Sequence, residues 1–382
     1  MHYFDNAATT FPKPEGVYKE MDSFYREYGV NVGRGQFKEA SIANRMVEET
    51  RKMMLDLLHA TSEYSCVFTS SATEALNTIL KGIAWKKGMS IYLSPFEHNA
   101  VLRTVHFLEK EFDLNVVQFQ PNDQFEYDFN SIQIQFSKIK PDVVVLTHAS
   151  NVFGFVNPVS KIFSIAKQYS AITVCDMAQT AGLIDTDVVH GMMDYAVFAG
   201  HKTLYAPFGV AGFITNQKCR LQPFLLGGTG LDSKNLDMPE EMPTKYEAGS
   251  HNVLSIAGLH AALEWNEEIG ISKIFQVEKE NTQKLLNILN KHKNIHVIRC
   301  ANESQNIGVV SCVFEGYSSD SIGQVLSDHD IAVRTGLHCS PKAHEFLHTA
   351  PAGTVRFSIS YFTTEDDFIA LDQALLYIEE NS

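Results

Sequence analysis

The sequence predicts an α/β fold, a mostly parallel seven-stranded sheet between helices, with a smaller α+β unit toward the C-terminal end. Three observations carry that expectation. Between about residues 60 and 215, short apolar runs alternate with helical patterns, the signature of a helix-covered parallel sheet. The runs are continuously apolar rather than alternating, as strands buried on both faces are. Past residue 250 the order changes to two long helices, then strands, then a closing helix. The 382 residues give ample core for one large unit and a satellite.

In chain order, the expected strands of the large sheet lie at 66–69 (CVFT), 90–93 (SIYL), 116–119 (VVQF), 143–146 (VVVL), 172–175 (ITVC), 196–198 (AVF) and 210–213 (VAGF). Each is strand-length, rich in β-formers and followed by turn or polar residues. Helical spacing of apolar residues marks 72–84, 100–110 and 159–168, with Thr73-Glu74 and Pro158 as plausible starts. Residues 224–247 hold GGTG, prolines and several acids without a sustained period, so they read as a long loop, and long ordered loops are usually functional. Helices are then expected at 250–269 and 271–291, strands at 295–298, 308–314 and 355–360, and a last helix at 364–380. The expected division is a large unit of residues 13–262 and a small one of 1–12 with 263–382.

Composition narrows the function. With 31 Lys+Arg against 45 Asp+Glu the formal charge is −14, and no basic run exceeds two residues. The electrostatic term that draws proteins to nucleic acid or anionic lipid is therefore missing. No apolar run approaches the ~20 residues that cross a bilayer, and the first residues lack a signal-peptide pattern, so a cytoplasmic location is expected. Six scattered cysteines with no CxxC pair argue for free thiols rather than a disulfide framework.

The chemistry-bearing residues fall at the carboxyl ends of the predicted strands, where a parallel sheet opens onto its ligand crevice. Asp176-Met-Ala-Gln179 follows one strand; its Asp either caps the next turn or faces a cationic ring nitrogen, with Gln179 placed to donate to a phenolic oxygen. FAGHK, ending in His201-Lys202, follows another. A partly desolvated lysine can bond a carbonyl cofactor, and Lys202 with Asp176 on a second strand end matches the pair that pyridoxal phosphate requires. Ser70-Ser71-Ala72-Thr73 lies at a strand-to-helix junction suited to a phosphate or to ordinary capping. His98, in PFEHNA, and Asn151, in THASN, occupy two more strand ends. Near the C-terminus, Arg334-Thr-Gly-Leu-His338-Cys339-Ser-Pro sets a thiol beside an imidazole, and Arg356 suits a carboxylate. Cys339 can also be read as an inert thiol, or, with His338, His344 and His348, as part of a metal site.

Taken together, YFDNAATT, SSATEALN, PFEHNA, THASNVFG, DMAQTAG, FAGHK, YEAGSHN, RTGLHCSPKAH and TVRFSIS occur in an order that resembles the cysteine desulfurases, within the class V aminotransferase group of fold-type I pyridoxal phosphate enzymes. The likeness runs from residue 3 to about 365. Only 17 positions separate Cys339 from Arg356, which is similar to the short-loop desulfurases related to selenocysteine lyases.

The resemblance implies roles for individual residues. Lys202 carries pyridoxal 5'-phosphate, Asp176 meets its ring nitrogen and Gln179 its phenolic oxygen. His98 stacks on the ring and moves protons. Ala72, Thr73 and His201 hold the phosphate, with Ser250 reaching the phosphate of a second subunit in a homodimer. Asn151 lies beside cofactor and substrate, Arg356 grips the substrate carboxylate, and Arg334 and His338 line the substrate side. The implied reaction converts L-cysteine to L-alanine and leaves a persulfide on Cys339, from which a sulfur-acceptor protein is served. A class V aminotransferase, a selenocysteine lyase, and a metal-binding or sulfur-carrier protein are the alternatives. Ala199 departs from the serine that many relatives carry; one missing neutral hydrogen bond, ~0.5–1.5 kcal/mol, weakens cofactor binding by about tenfold.

Overall fold

A computed structural model describes residues 1–32, 35, 37–230 and 234–381. All seven predicted runs form one seven-stranded sheet. In spatial order its strands are Tyr64–Thr69, Ala211–Asn216, Tyr195–Ala199, Ile172–Asp176, Val143–Thr147, Ser90–Leu93 and Asn115–Gln118. Ala211–Asn216 pairs antiparallel with both neighbours, and every other pair in this sheet is parallel.

Strand side chains alternate between two apolar layers because successive residues point to opposite faces. Phe68, Val144, Leu146, Cys175 and Phe198 enter the layer shared with the helices Glu15–Tyr28, Lys38–Leu57 and Val253–Ile269. Val67, Val143, Val145, Val174 and Val197 enter the layer shared with Ala72–Gly82 and Asn99–Phe112. Two apolar partners explain why the runs are unbroken rather than alternating. The expectation of burial on both faces fails for Asn115–Gln118, which closes one edge of the sheet and leaves most of its side chains exposed.

A second, four-stranded antiparallel sheet follows, in the order Arg334–Gly336, Thr354–Ser358, Val309–Phe314, Ile295–Ile298. Its core is shared with the helices Ile271–Leu289 and Glu365–Glu380. The first residues join this end of the chain: His2–Tyr3 pairs in parallel with Ile331–Ala332, and Asp5 bridges to Ser358. Gly270, at φ +84°, separates Val253–Ile269 from Ile271–Leu289, a backbone angle that glycine adopts without steric cost.

The predicted loop at 224–247 contains the short helical turn Thr244–Tyr246, and its positions 231–233 lie outside the described residues. The loop's end is pinned by Glu247. Its two carboxylate oxygens accept from Arg51 Nη1 and Nη2, both at 2.6 Å, and Oε1 also accepts from the Phe68 amide at 2.6 Å. Both side chains are buried, and stranding either charge would cost about 3–5 kcal/mol.

Candidate active site

The parallel order brings the predicted strand ends to one edge of the sheet. Thr147 pairs with Asp176, and Asp176 with Val197, so THASN, DMAQ and FAGHK emerge side by side. Asp176 is the last residue of its strand and is buried. Its Oδ1 accepts from the Ala178 amide at 3.0 Å, so the capping reading holds for one oxygen and the other remains for a ligand. Burial raises this carboxyl, opposed by the Ala178 bond and the Lys202 ammonium.

Lys202 follows the next strand. Among the described residues its Nζ makes no hydrogen bond or ion pair. Burial pulls its amine down to about 8; Asp176 works against this, while Arg356 and Arg334 add to it. An amine so shifted is partly neutral near neutral pH and therefore nucleophilic.

His98 caps the helix Asn99–Phe112, and its Nδ1 accepts from the Ala100 amide at 3.1 Å. That bond assigns the ring proton to Nε2. Burial, reinforced by Lys202, Arg334, Arg103 and Arg356, lowers the imidazole to about 4, so the ring is neutral and offers Nε2–H to the site.

The C-terminal unit delivers the remaining groups. The Asn99 amide, next to His98, donates to Cys339 O at 2.7 Å, which fixes the thiol's loop to the start of that helix. Arg334 Nη2 lies 3.1 Å from Cys339 Sγ, and Arg334 pairs with Arg356 across adjacent antiparallel strands. Arg356 is almost fully buried: Nη1 donates to Asn151 O at 2.9 Å, Nη2 to Asp5 Oδ1 at 2.5 Å, and Nε has no partner. Asp5 is the functional residue that sequence reasoning missed. Its signal lay in YFDNAATT, quoted for resemblance but assigned no role.

His338 departs from the expectation that it lines the substrate side. The residue is only 2% exposed, and Nε2 lies 2.9 Å from Thr354 Oγ1, so the imidazole is turned toward the strand Thr354–Ser358 while Cys339 Sγ lies against Arg334. Of the metal-ligand types, His338 and His344 lie together, with ring centroids 5.5 Å apart. Among the described residues no group of three or more His, Cys, Asp or Glu is placed to hold a metal ion, and no helix is long and apolar enough to cross a membrane.

The residues present fit pyridoxal phosphate. Lys202 supplies an unpartnered amine and Asp176 a buried carboxylate with a spare oxygen. Ser71 caps its helix by accepting from the Glu74 amide at 3.1 Å, so the Ser71 hydroxyl is an ordinary cap. The amides of Ala72 and Thr73, at the first helical positions, find no acceptor among the described residues and suit a phosphate. His201 lies against Phe208 at 4.7 Å, and its buried Nδ1 has no partner. Burial, with Lys202 and Lys13, lowers its imidazole to about 3, so it is a neutral hydrogen-bonding group. Gln179 Nε2 donates to Ala7 O at 2.9 Å, spending one of its two amide protons. Ser250 is exposed in a cleft also lined by Ser70 and Glu74.

Comparison with known proteins gives the family. The family model described as Aminotransferase class-V matches residues 2–371. A probable cysteine desulfurase of Methanothermobacter thermautotrophicus is 32% identical, over 98% of this chain and 94% of that protein. The apo structure of a cysteine desulfurase from Thermococcus onnurineus superposes with a TM-score of 0.91 at 28% identity, covering 100% of this chain and 95% of that one. The S-sulfonic acid form of the cysteine desulfurase CsdA from Escherichia coli gives 0.87 at 27%, covering 99% and 94%. With a family match and a relative that both span nearly its whole length, the chain belongs to the pyridoxal-phosphate-dependent class V aminotransferase family and, within it, to the cysteine desulfurases.

Proposed function

We propose that the protein converts L-cysteine to L-alanine and takes up the sulfur on Cys339 as a persulfide. The observation that carries this reading is the delivery of the Cys339 thiol, through Arg334 and the Asn99 amide, to the strand ends that hold Lys202, Asp176 and His98. Bound pyridoxal phosphate supplies an electron sink for the carbanion formed at the substrate's Cα. Lys202 takes the Cα proton, and Asp176 balances positive charge on the ring nitrogen. Arg356 receives the substrate carboxylate, its plane preset by Asp5 and by the carbonyl of Asn151. Cys339 Sγ then attacks the substrate's sulfur: an S–S bond forms and the Cβ–S bond breaks. The pair from that bond stays with carbon, which is reduced and protonated as the sulfur is oxidised. His98 Nε2–H stands as donor for that proton.

Family membership also supports a homodimer in which Ser250 serves the neighbouring subunit's cofactor phosphate, a cytoplasmic setting and a protein that accepts the persulfide sulfur. It equally supports a large unit of residues 13–262 with the remainder as a smaller one.

The test is alanine formed from L-cysteine with and without a thiol reductant. Without added reductant, alanine appears as a burst stoichiometric with Cys339, followed by a slower phase set by attack of free cysteine on the persulfide; added reductant speeds that second phase. Pyruvate in place of alanine, or dependence on a 2-oxo acid, would overturn the reading in favour of elimination or transamination.

Cofactor loading adds a pH prediction. Neutral amine is the form that attacks the aldehyde, and the neutral fraction rises as pH passes the amine's pKa. With Lys202 at about 8 rather than 10.5, the rate at which cofactor-free protein gains visible absorbance should climb through neutral pH and level off just above 8. A rate still climbing toward the ordinary lysine range contradicts a desolvated Lys202.

A further inference from the structure

Cys339 stands in a strained turn that the Ser340 amide closes by donating to Leu337 O at 2.9 Å. His338 and Cys339 are consecutive non-glycine residues at φ +46° and +60°, left-handed conformations that cost about 1–2 kcal/mol each. Such a conformation persists only where its surroundings over-determine it. Here four contacts from outside the turn add to its own backbone bond. The Asn151 side-chain amide donates to His338 O at 2.7 Å, while its carbonyl oxygen accepts from Ser340 Oγ, also at 2.7 Å. The Asn99 amide holds Cys339 O, and Thr354 holds the His338 ring. Asn151 thus grips the residue before the cysteine and the residue after it.

Ser340 supplies an independent sign that this grip matters. It is the N-cap of the helix Pro341–Phe346, where a serine oxygen ordinarily accepts from the first turn and contributes about 1 kcal/mol. It makes no such bond. Its hydroxyl is fully buried and spent on Asn151 instead. The resemblance had set Asn151 beside cofactor and substrate, but both ends of its amide are engaged by the cysteine's turn. Its main-chain oxygen meanwhile accepts from Arg356, so one residue joins the carboxylate-binding arginine to the thiol's turn.

We propose that Ser340 and the Asn151 amide form a latch that fixes the Cys339 thiol in its attacking position. Ser340 is a positioning residue, since it acts on the thiol through Asn151 and the turn. The sulfur-transfer part of the proposal rests on the desulfurase reading given above.

Ser340→Ala tests the latch with two measurements. Amide hydrogen exchange on the purified protein reads the turn without reference to activity: residues 338–343 should exchange faster, with the central sheet unchanged. Kinetics read its use. With L-cysteine, kcat for alanine should fall about ten- to a hundredfold, the scale of a misplacement near 1 Å, with KM little changed. With β-chloroalanine, chloride leaves with its own bonding pair and needs no attacking thiol, so elimination should proceed as in wild type. Unaltered exchange in the turn, or equal losses on both substrates, overturns the latch. Wild-type protein that forms no alanine from cysteine would sink the desulfurase reading separately, and the exchange measurement would still decide the latch.

Discussion

Lys202→Ala is expected to abolish alanine formation and to remove the visible absorbance of the bound cofactor, while the protein stays folded. The first part follows from the proposed chemistry, in which the same amine bonds the cofactor carbonyl and takes the substrate's Cα proton; loss of a single general base alone costs about 10²–10⁴-fold. The second follows from environment. Nζ has no hydrogen-bond partner among the described residues, so truncation strands no acceptor, and burial already disfavours its charged form. Cofactor-free Lys202→Ala should therefore melt no lower than cofactor-free wild type. Another lysine also has a lowered amine: burial brings Lys13 to about 7. Its Nζ, however, donates to Thr10 Oγ1 and His201 O, both at 2.7 Å, which makes it a strut under the FAGHK turn rather than a free nucleophile. Borohydride reduction followed by peptide mapping separates the two. Label on Lys202 is expected, and label on Lys13 would dismantle the site described above.

How far the sequence could be read follows from what each feature depends on. Strands of the large sheet were legible because burial on both faces writes them as unbroken apolar runs, and the edge strand Asn115–Gln118 was misjudged because its run looks the same without that burial. Reading from apolar runs also passes over Glu15–Tyr28 and Lys38–Leu57. Their buried faces are stripes among charges, and their partner, Val253–Ile269, is more than 190 residues downstream of Lys38–Leu57. Lys202, Asp176 and His98 could be grouped because all three sit at carboxyl ends of strands in one sheet, a relation that local pattern carries. The Asp5–Arg356 pair could not, since 351 positions separate the two and they are brought together by the pairing of His2–Tyr3 with Ile331–Ala332 and by the bridge of Asp5 to Ser358. His338 and Cys339 are adjacent and both chemically apt. Which of them faces the site is decided by two positive φ angles and by Thr354, none of which residue type reveals.

Cys339→Ala should leave the cofactor's absorbance unchanged and lower alanine formation from cysteine by roughly 10³-fold or more, as removal of an attacking nucleophile does. The stability change should be within about 0.5 kcal/mol, the range of substitutions away from a packed core, because the side chain is partly exposed and its left-handed backbone strains alanine as it does cysteine. No other thiol is placed to substitute. Cys66, Cys175, Cys300 and Cys312 are buried. Burial pushes the Cys66 thiol up to about 12 and those of Cys175 and Cys312 well above the usual range. Cys219, also raised by burial, with Asp194 adding to the effect, follows the Ala211–Asn216 strand, which runs opposite to the strands whose ends form the site. Added reductant should therefore not restore turnover to Cys339→Ala, although it sustains the wild type. Spectral titration with cysteine, which reports binding at Lys202, should remain close to wild type, so that the defect falls on kcat rather than on KM. A Cys339→Ala protein that turned over cysteine at the normal rate would remove the persulfide from the reaction, and with it the reason for Arg334 and the Asn99 amide to converge on that sulfur's loop.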